Sequence, residues 1–227
     1  AQERTRVYFC FNFCLISNAE MKERAEKMLK EKCGITACTY HSFCVKMLRF
    51  YASFAGISPN FSIISSPDEA DIIDIAKTEL NFQRLSNMPT GTVFASMLST
   101  CVNKGISLED LLTEQRYWKF RQNEKKLLAL KRKVARYKEE HNLLNYDDIL
   151  LKFNSMLASY PDVAKKIEDT YQYIMVDEYQ DTNVLQDSII KKIRKYNQNL
   201  MVVGDDMQSI YRFRGADVRN ILSFPKR

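Results

Sequence analysis

"YIMVDEYQDTNVLQ", residues 173–186, runs four apolar residues straight into two adjacent carboxylates, Asp177 and Glu178, and adds a third, Asp181, almost at once. Tyr173, Ile174, Met175 and Val176 read as a strand buried on both faces, and such strands belong to parallel sheets covered by helices. The acids then fall at its carboxyl end, where open α/β sheets bind their ligands. An acid in that place can also do no more than cap the following helix, so the neighbouring sequence has to decide. A second stretch has the same design. "LMVVGDDMQSIY" (200–211) ends its apolar run in Gly204, Asp205 and Asp206, with the amide of Gln208 close behind. Two acid-terminated strands in one sheet converge on one crevice.

Working outward, "RVYFCFNF" (6–13) reads as a strand and "NAEMKERAEKMLKEKCG" (18–34) as a helix closed by Gly34. "ITACTYHSF" (35–43) is a second short strand whose end carries Thr39, His41 and Ser42, and a helix follows to about Ala55. Ser66, Pro67 and Glu69 form a helix start, with the serine as cap and proline in the first turn. From there to about residue 140 the patterns are helical, without a strand. "YDDILLKFNSML" (146–157) returns as a helix; the opening strand, a helix over 183–195 and a strand over 200–206 come after it. Strands alternating with helices imply a parallel sheet, and a helical block between two such runs implies an insertion.

A chain of 227 residues, 45% of them hydrophobic, can bury a substantial core as one large domain or two small ones. No run approaches the roughly 18 apolar residues of a membrane span, and the start lacks a secretory pattern. A globular cytoplasmic protein with no membrane partner is expected, nucleoid-associated if bacterial. The six cysteines have no repeated two-residue spacing, which argues for reduced thiols over a zinc site or a disulfide framework. The net charge of +6 is concentrated between Gln115 and Glu140, where ten Lys or Arg face three Glu. There Leu127, Leu130, Val134 and Tyr137 recur at helical spacing, giving one apolar stripe and leaving the cations on the outer faces. Such a face is either simply solvated or attracts a phosphate polymer without sequence preference. His141 is expected to cap a helix end, Trp118 to pack within the helical block, and the methionines to fill core.

A strand ending in Asp-Glu suits a nucleotide hydrolase working on a Mg-bound triphosphate, the Asp holding the metal through water and the Glu activating the attacking water. "VDEYQDTN" followed by "VVGDDMQSIYRFRGAD" resembles motifs II and III of the superfamily 1 DNA helicases of the UvrD/Rep type. "TACTYHSF" resembles their motif Ib, and "ISNAEMKERAEKML" the end of motif Ia with a shortened pattern. The resemblance implies an α/β, RecA-like parallel sheet of the P-loop NTPase type with a helical insertion. Residues 1–67 and 141–227 would form motor domain 1A, and residues 68–140 subdomain 1B. It also implies an ATP-dependent 3′-to-5′ DNA helicase or translocase using ATP and Mg²⁺ on single-stranded and duplex DNA. Asp177 would coordinate Mg²⁺, Glu178 would be the catalytic base, and Gln208 would sense the γ-phosphate. Thr39 and His41 would touch the DNA backbone, Tyr211 and Phe213 would meet bases, and Arg214 would link the DNA and nucleotide sites. Phe213 stands where the family usually has Trp; it can alternatively pack in the core while Arg214 pairs with Asp217. Lys131, Arg132 and Lys133 on the basic helix of 1B would meet phosphates.

The chain departs from the family pattern in two places. No G-x-x-x-x-G-K-[ST] loop is present. Either Arg4 and Thr5 of "AQERTRV" stand in for that loop's Lys and Ser/Thr, or residues 6–13 are already the motif Ia strand and the loop lies upstream, the preferred account. The second motor domain of the parent enzyme is expected beyond "NILSFPKR", so this polypeptide alone should be inactive. The alternative is a nucleotide-dead DNA-binding or interaction module derived from the same family.

Overall fold

The computed structural model describes residues 7–11, 23, 27, 34–196, 198–205, 207 and 224. Arg4, Thr5, Asp206, Gln208, Tyr211, Phe213, Arg214 and Asp217 lie outside the described residues. Of the helix expected over 18–34, Glu23 and Lys27 are described as helical, paired at 2.7 Å.

Among the described residues four short parallel strands make the main sheet: β1 (Val7–Phe11), β2 (Gly34–Cys38), β5 (Tyr173–Val176) and β6 (Leu200–Val202), in the order β2-β1-β5-β6. A pair of two-residue strands, β3 (Ser62–Ile63) and β4 (Leu143–Leu144), runs parallel with Ser62 opposite Leu143. The helices in chain order are α1 (Tyr40–Phe50), α2 (Ser66–Glu79), α3 (Gly91–Lys104), α4 (Leu108–Leu111), α5 (Glu124–Glu140), α6 (Tyr146–Ser159), α7 (Pro161–Thr170) and α8 (Val184–Ile193). The chain is a mixed α/β fold whose described strands in the main sheet are all parallel.

Two apolar cores form. One gathers Phe43, Leu48, Phe153, Ile174, Val176 and Ile189 from α1, α6, α8 and the sheet. The other gathers Ile73, Phe94, Met97, Leu111, Leu127 and Leu130 from α2 to α5. The chain passes from the first to the second through β3 and returns through β4, so the block of helices hangs on two neighbouring strands. Its stripe on α5 is buried as the spacing predicts, with Leu127, Leu130 and Val134 at most 1% exposed.

Several local expectations are corrected. β5 is not buried on both faces: Ile174 and Val176 enter the core, while side-chain alternation sends Met175 to the opposite face, where it is 37% exposed beside the exposed Met201. The cap of α2 is Ser65, one residue earlier than expected. Ser65 and Asp68 close the capping box, with the Ser65 N–H donating to Asp68 Oδ2 at 2.8 Å. Glu69 is thereby turned into the interior. The strand at 35–43 stops at Cys38, because Thr39 caps α1 through the Ser42 N–H at 3.2 Å. Helix α7, with proline at its first position, has no counterpart in the expected elements. Trp118 is 67% exposed; Tyr117 and Phe120, on the inner side of the 3-10 turn 118–123, fill the core place instead. Met47, Met97 and Met156 are buried, whereas Met175, Met201 and Met207 are exposed. Cys44 and Cys101 are free thiols.

Helices α2 and α3 approach so closely that a Cβ on Gly91 would sit 2.3 Å from the Ala70 carbonyl oxygen and 2.7 Å from an Asp74 oxygen. The Ala70 contact is with backbone and cannot swing aside. Gly91→Ala should therefore destabilise the block by about 1–3 kcal/mol, the usual cost of overpacking. Urea unfolding followed by circular dichroism measures it; an unchanged midpoint would mean that the helices separate freely.

Candidate active site

The sheet register sets Phe11, Cys38, Val176 and Val202 in one row. Since the strands are parallel, the residues after Cys38, Val176 and Val202 leave from the same edge. Thr39, Asp177 and Val203 are thus brought to one side of the sheet. Pairing continues beyond β5 and β6: the Val203 N–H donates to the Val176 carbonyl at 2.8 Å and the Tyr179 N–H to the Val203 carbonyl at 2.9 Å. The two acid-bearing loops are held together by backbone, not by side chains alone.

Asp177 is half-buried, and its Oδ1 accepts the Glu178 N–H at 3.0 Å, leaving Oδ2 without a protein partner among the described residues. Glu178 adopts φ 52° and ψ 42°, the left-handed region. For a residue with a Cβ this costs on the order of 1–3 kcal/mol and persists only where the surroundings enforce it. Here they do. Tyr179–Asp181 form a 3-10 turn, Tyr179 is 1% exposed, and its hydroxyl donates to Asp187 Oδ1 at 2.6 Å. Asp187 is in turn paired with Lys191 at 2.5 Å. Asn183 starts α8 with a full capping box, accepting from the Gln186 N–H at 2.8 Å and giving its amide to Asn103 Oδ1 at 2.7 Å. The strained residue is clamped from both sides.

Asp181 does not join the other two acids at the surface. It is 7% exposed, its Oδ1 has no hydrogen-bond partner among the described residues, and burial, then the nearby Glu178 carboxylate, raise its pKa above the ordinary value. Between Glu178 and Asp181 sits Gln180, fully buried, whose Nε2 donates to Glu178 Oε2 at 2.6 Å while its Oε1 accepts the Asp205 N–H at 3.1 Å. Sequence reading passes over Gln180. Its signal was an uncharged amide among acids, whose second partner lies a further 25 residues along the chain.

Among the described residues no group of three or more His, Cys, Asp or Glu could cage a metal ion. The donor set at Asp177 fits Mg²⁺ of another kind, one that keeps most of its waters and is held by one or two carboxylates and substrate phosphates.

Thr39 caps α1 and His41 sits in its first turn, so neither lies in a strand. The Thr39 hydroxyl is shared between the Ser42 N–H and the Ser42 hydroxyl, the latter at 3.0 Å. His41 is half-buried, edge-on to the exposed Tyr146 ring at 5.3 Å. Burial holds its imidazole below the usual pKa, so it is neutral at neutral pH and offers a hydrogen bond rather than a charge.

The basic helix α5 is less uniform than its composition. Lys131 and Arg132 are exposed, and Lys133 pairs with Glu79 at 2.7 Å. Three consecutive residues cannot share one helix face. Arg132 instead shares a face with the exposed Lys125 and Arg136, since steps of seven and eleven residues return almost to the same side of a helix with about 3.6 residues per turn. Lys138 leaves the outer surface altogether. It bonds Glu69 at 3.1 Å and Asp148 at 2.6 Å, joining α2, α5 and α6. His141 ends α5 with Nδ1 3.0 Å from the Tyr137 carbonyl oxygen. A cleft of about 820 Å³ beside this network is lined by Glu69, Lys131, Lys138, Asp147 and Asp148, and by none of Asp177, Glu178, Thr39 or His41. Asp177 and Glu178 lie instead at the carboxyl edge of the main sheet.

Open parallel α/β sheets bind their ligands outside the carboxyl ends of the strands, where Asp177 and Glu178 stand. The particular family follows from comparison: residues 8–227 match the UvrD/REP helicase N-terminal domain, and the chain belongs to that family. It is similar to the ATP-dependent DNA helicase PcrA of Staphylococcus aureus, 34% identical over 209 residues that cover 91% of this chain and 28% of that protein. The ATP-dependent DNA helicase PcrA of Staphylococcus epidermidis is 34% identical over 207 residues, 90% of this chain and 27% of that protein. The chain thus spans little more than a quarter of the length of these relatives. No helix among the described residues is long and apolar enough to cross a membrane.

Proposed function

We propose that this chain is the part of an ATP-dependent DNA helicase or translocase that holds the hydrolytic carboxylates and part of the DNA track. The sheet is read as the RecA-like sheet of motor domain 1A, residues 1–67 and 141–227, and the second apolar core as subdomain 1B, residues 68–140. The observation that carries the reading is the strained, clamped Glu178 beside Asp177 at the carboxyl edge of a parallel sheet. Asp177 would hold Mg²⁺, which would supply positive charge to neutralise that building up on the phosphates. Glu178 accepts the proton of the attacking water as the water oxygen bonds to the γ-phosphorus. The bond from that phosphorus to the bridging oxygen breaks, and its electron pair leaves with ADP. Gln208 senses the γ-phosphate, and Arg214 links this site to the DNA.

Thr39 and His41 contact the DNA backbone, His41 as an uncharged partner, and Tyr211 and Phe213 stack on bases. Movement on single-stranded DNA runs 3′ to 5′ and opens duplex ahead of the motor. The test is ATP turnover by the full-length protein with and without single-stranded DNA. Stimulation by DNA supports the reading; a protein that binds DNA yet turns over no ATP would be a nucleotide-dead binding module instead.

Arg132, with Lys125 and Arg136 beside it, is proposed to meet phosphates. Replacing all three by Gln should flatten the slope of log affinity against log salt by about 0.7 for each single-strand phosphate that is no longer neutralised. Lys133→Gln should do less, because Glu79 already neutralises that cation. Fluorescence anisotropy of a labelled oligonucleotide at several salt concentrations reads both, and an unchanged slope in the triple variant would remove α5 from the DNA track.

A further inference from the structure

Gln180 is fully buried, yet its side chain spans two loops that carry polar chemistry. Which end of the amide faces which loop follows from its partners. The Asp205 backbone N–H can only donate, so the group 3.1 Å from it must be the amide oxygen. The amide nitrogen then faces Glu178 and donates to Oε2 at 2.6 Å. One amide therefore satisfies a carboxylate after β5 and a backbone donor after β6, and neither bond can form if the amide is turned over.

From this geometry we infer that Gln180 is a positioning residue for hydrolysis, a buried strap that aims the Glu178 carboxylate and ties its setting to the loop after β6. The inference rests on the proposed function, in which Glu178 takes the proton from water. With Oε2 engaged by the strap, Oε1 is the oxygen left for the water. The left-handed backbone of Glu178 brings the carboxylate and the amide two residues later within reach of each other, so strain and strap act on the same side chain. The far end of the strap, Asp205, stands three positions before Gln208 in the sequence. A displacement of the β6 loop would therefore be felt at the base.

The test uses two variants of the full-length protein. Gln180→Glu keeps the shape and the acceptor for Asp205 but sets a second carboxylate against Glu178, which disfavours charge on both. Gln180→Met keeps the volume and removes both bonds. Misplacing a reacting group by about 1 Å can cost on the order of 100-fold. DNA-stimulated kcat should fall about 10-fold or more in both variants at neutral pH, with the KM for ATP changed less than about 2-fold. The loss should be of similar size in the two variants, because each removes the donor to Glu178 Oε2. A role confined to packing gives no such split between kcat and KM. Parental kcat in either folded variant, or a loss seen in KM alone, overturns the inference while leaving the proposed function standing. A parent protein without ATP turnover overturns both.

Discussion

Glu178→Gln in the full-length protein is expected to reduce single-stranded-DNA-stimulated ATP turnover by about 10² to 10⁴, the range that a positioned general base contributes. The substitution keeps size and hydrogen-bonding reach, so the strained backbone at φ 52° and the Gln180 contact have no steric reason to change. What disappears is the group that takes the proton. ATP binding, followed by fluorescence of a labelled nucleotide, should persist, because Asp177, the proposed metal ligand, is untouched. Turnover that falls in step with nucleotide affinity would instead assign Glu178 to binding and leave the base unidentified.

Lys138→Met is expected to cost about 3 kcal/mol of stability, the lower end for breaking a buried ion pair by removing one partner. Its side chain is 11% exposed, that of Glu69 8% and that of Asp148 25%, so two carboxylates would be left facing each other with little water. Asn145 also donates to Glu69, at 2.6 Å, and cannot replace the missing charge. Adding Glu69→Gln to Lys138→Met should recover part of the loss, since the amide oxygen still serves Asn145 and one buried charge is gone. Urea unfolding of the single and double variants checks this; a double variant less stable than the single would contradict the account. Burial alone lowers the Lys138 pKa, but Asp148 and Glu69 outweigh it and hold it above the usual value. The stability it lends is therefore complete below the unfolded pKa of about 10.4 and is lost as the pH rises through the higher folded value.

Lys138 also marks the limit of what the chain discloses by itself. Among ten cations in 115–140 nothing distinguishes it, because its partners come from α2 and from the start of α6. The place of Asp177 and Glu178 at a strand end was legible because an apolar strand running into acids is a local signal. Gln180 was not, since what gives it a role is the Asp205 N–H from another strand's loop. The parallel sheet was legible from alternating elements, whereas β3 and β4, at two residues each, are too short to show a period and exist through each other. Trp118 was misplaced for a related reason: the burial of Tyr117 and Phe120 is decided by the turn 118–123, which carries no periodic pattern of its own.

The proposed function requires ATP hydrolysis at this sheet edge to drive movement along single-stranded DNA in the 3′-to-5′ direction. The measurement that tests it most directly is stopped-flow fluorescence of the full-length protein on oligonucleotides of increasing length, labelled at either end and started with ATP and Mg²⁺. A lag before the signal from a 5′-end label that grows with length, and vanishes in Glu178→Gln, is the result predicted. A lag that grows for the 3′-end label, or a signal independent of length at both ends, would contradict it.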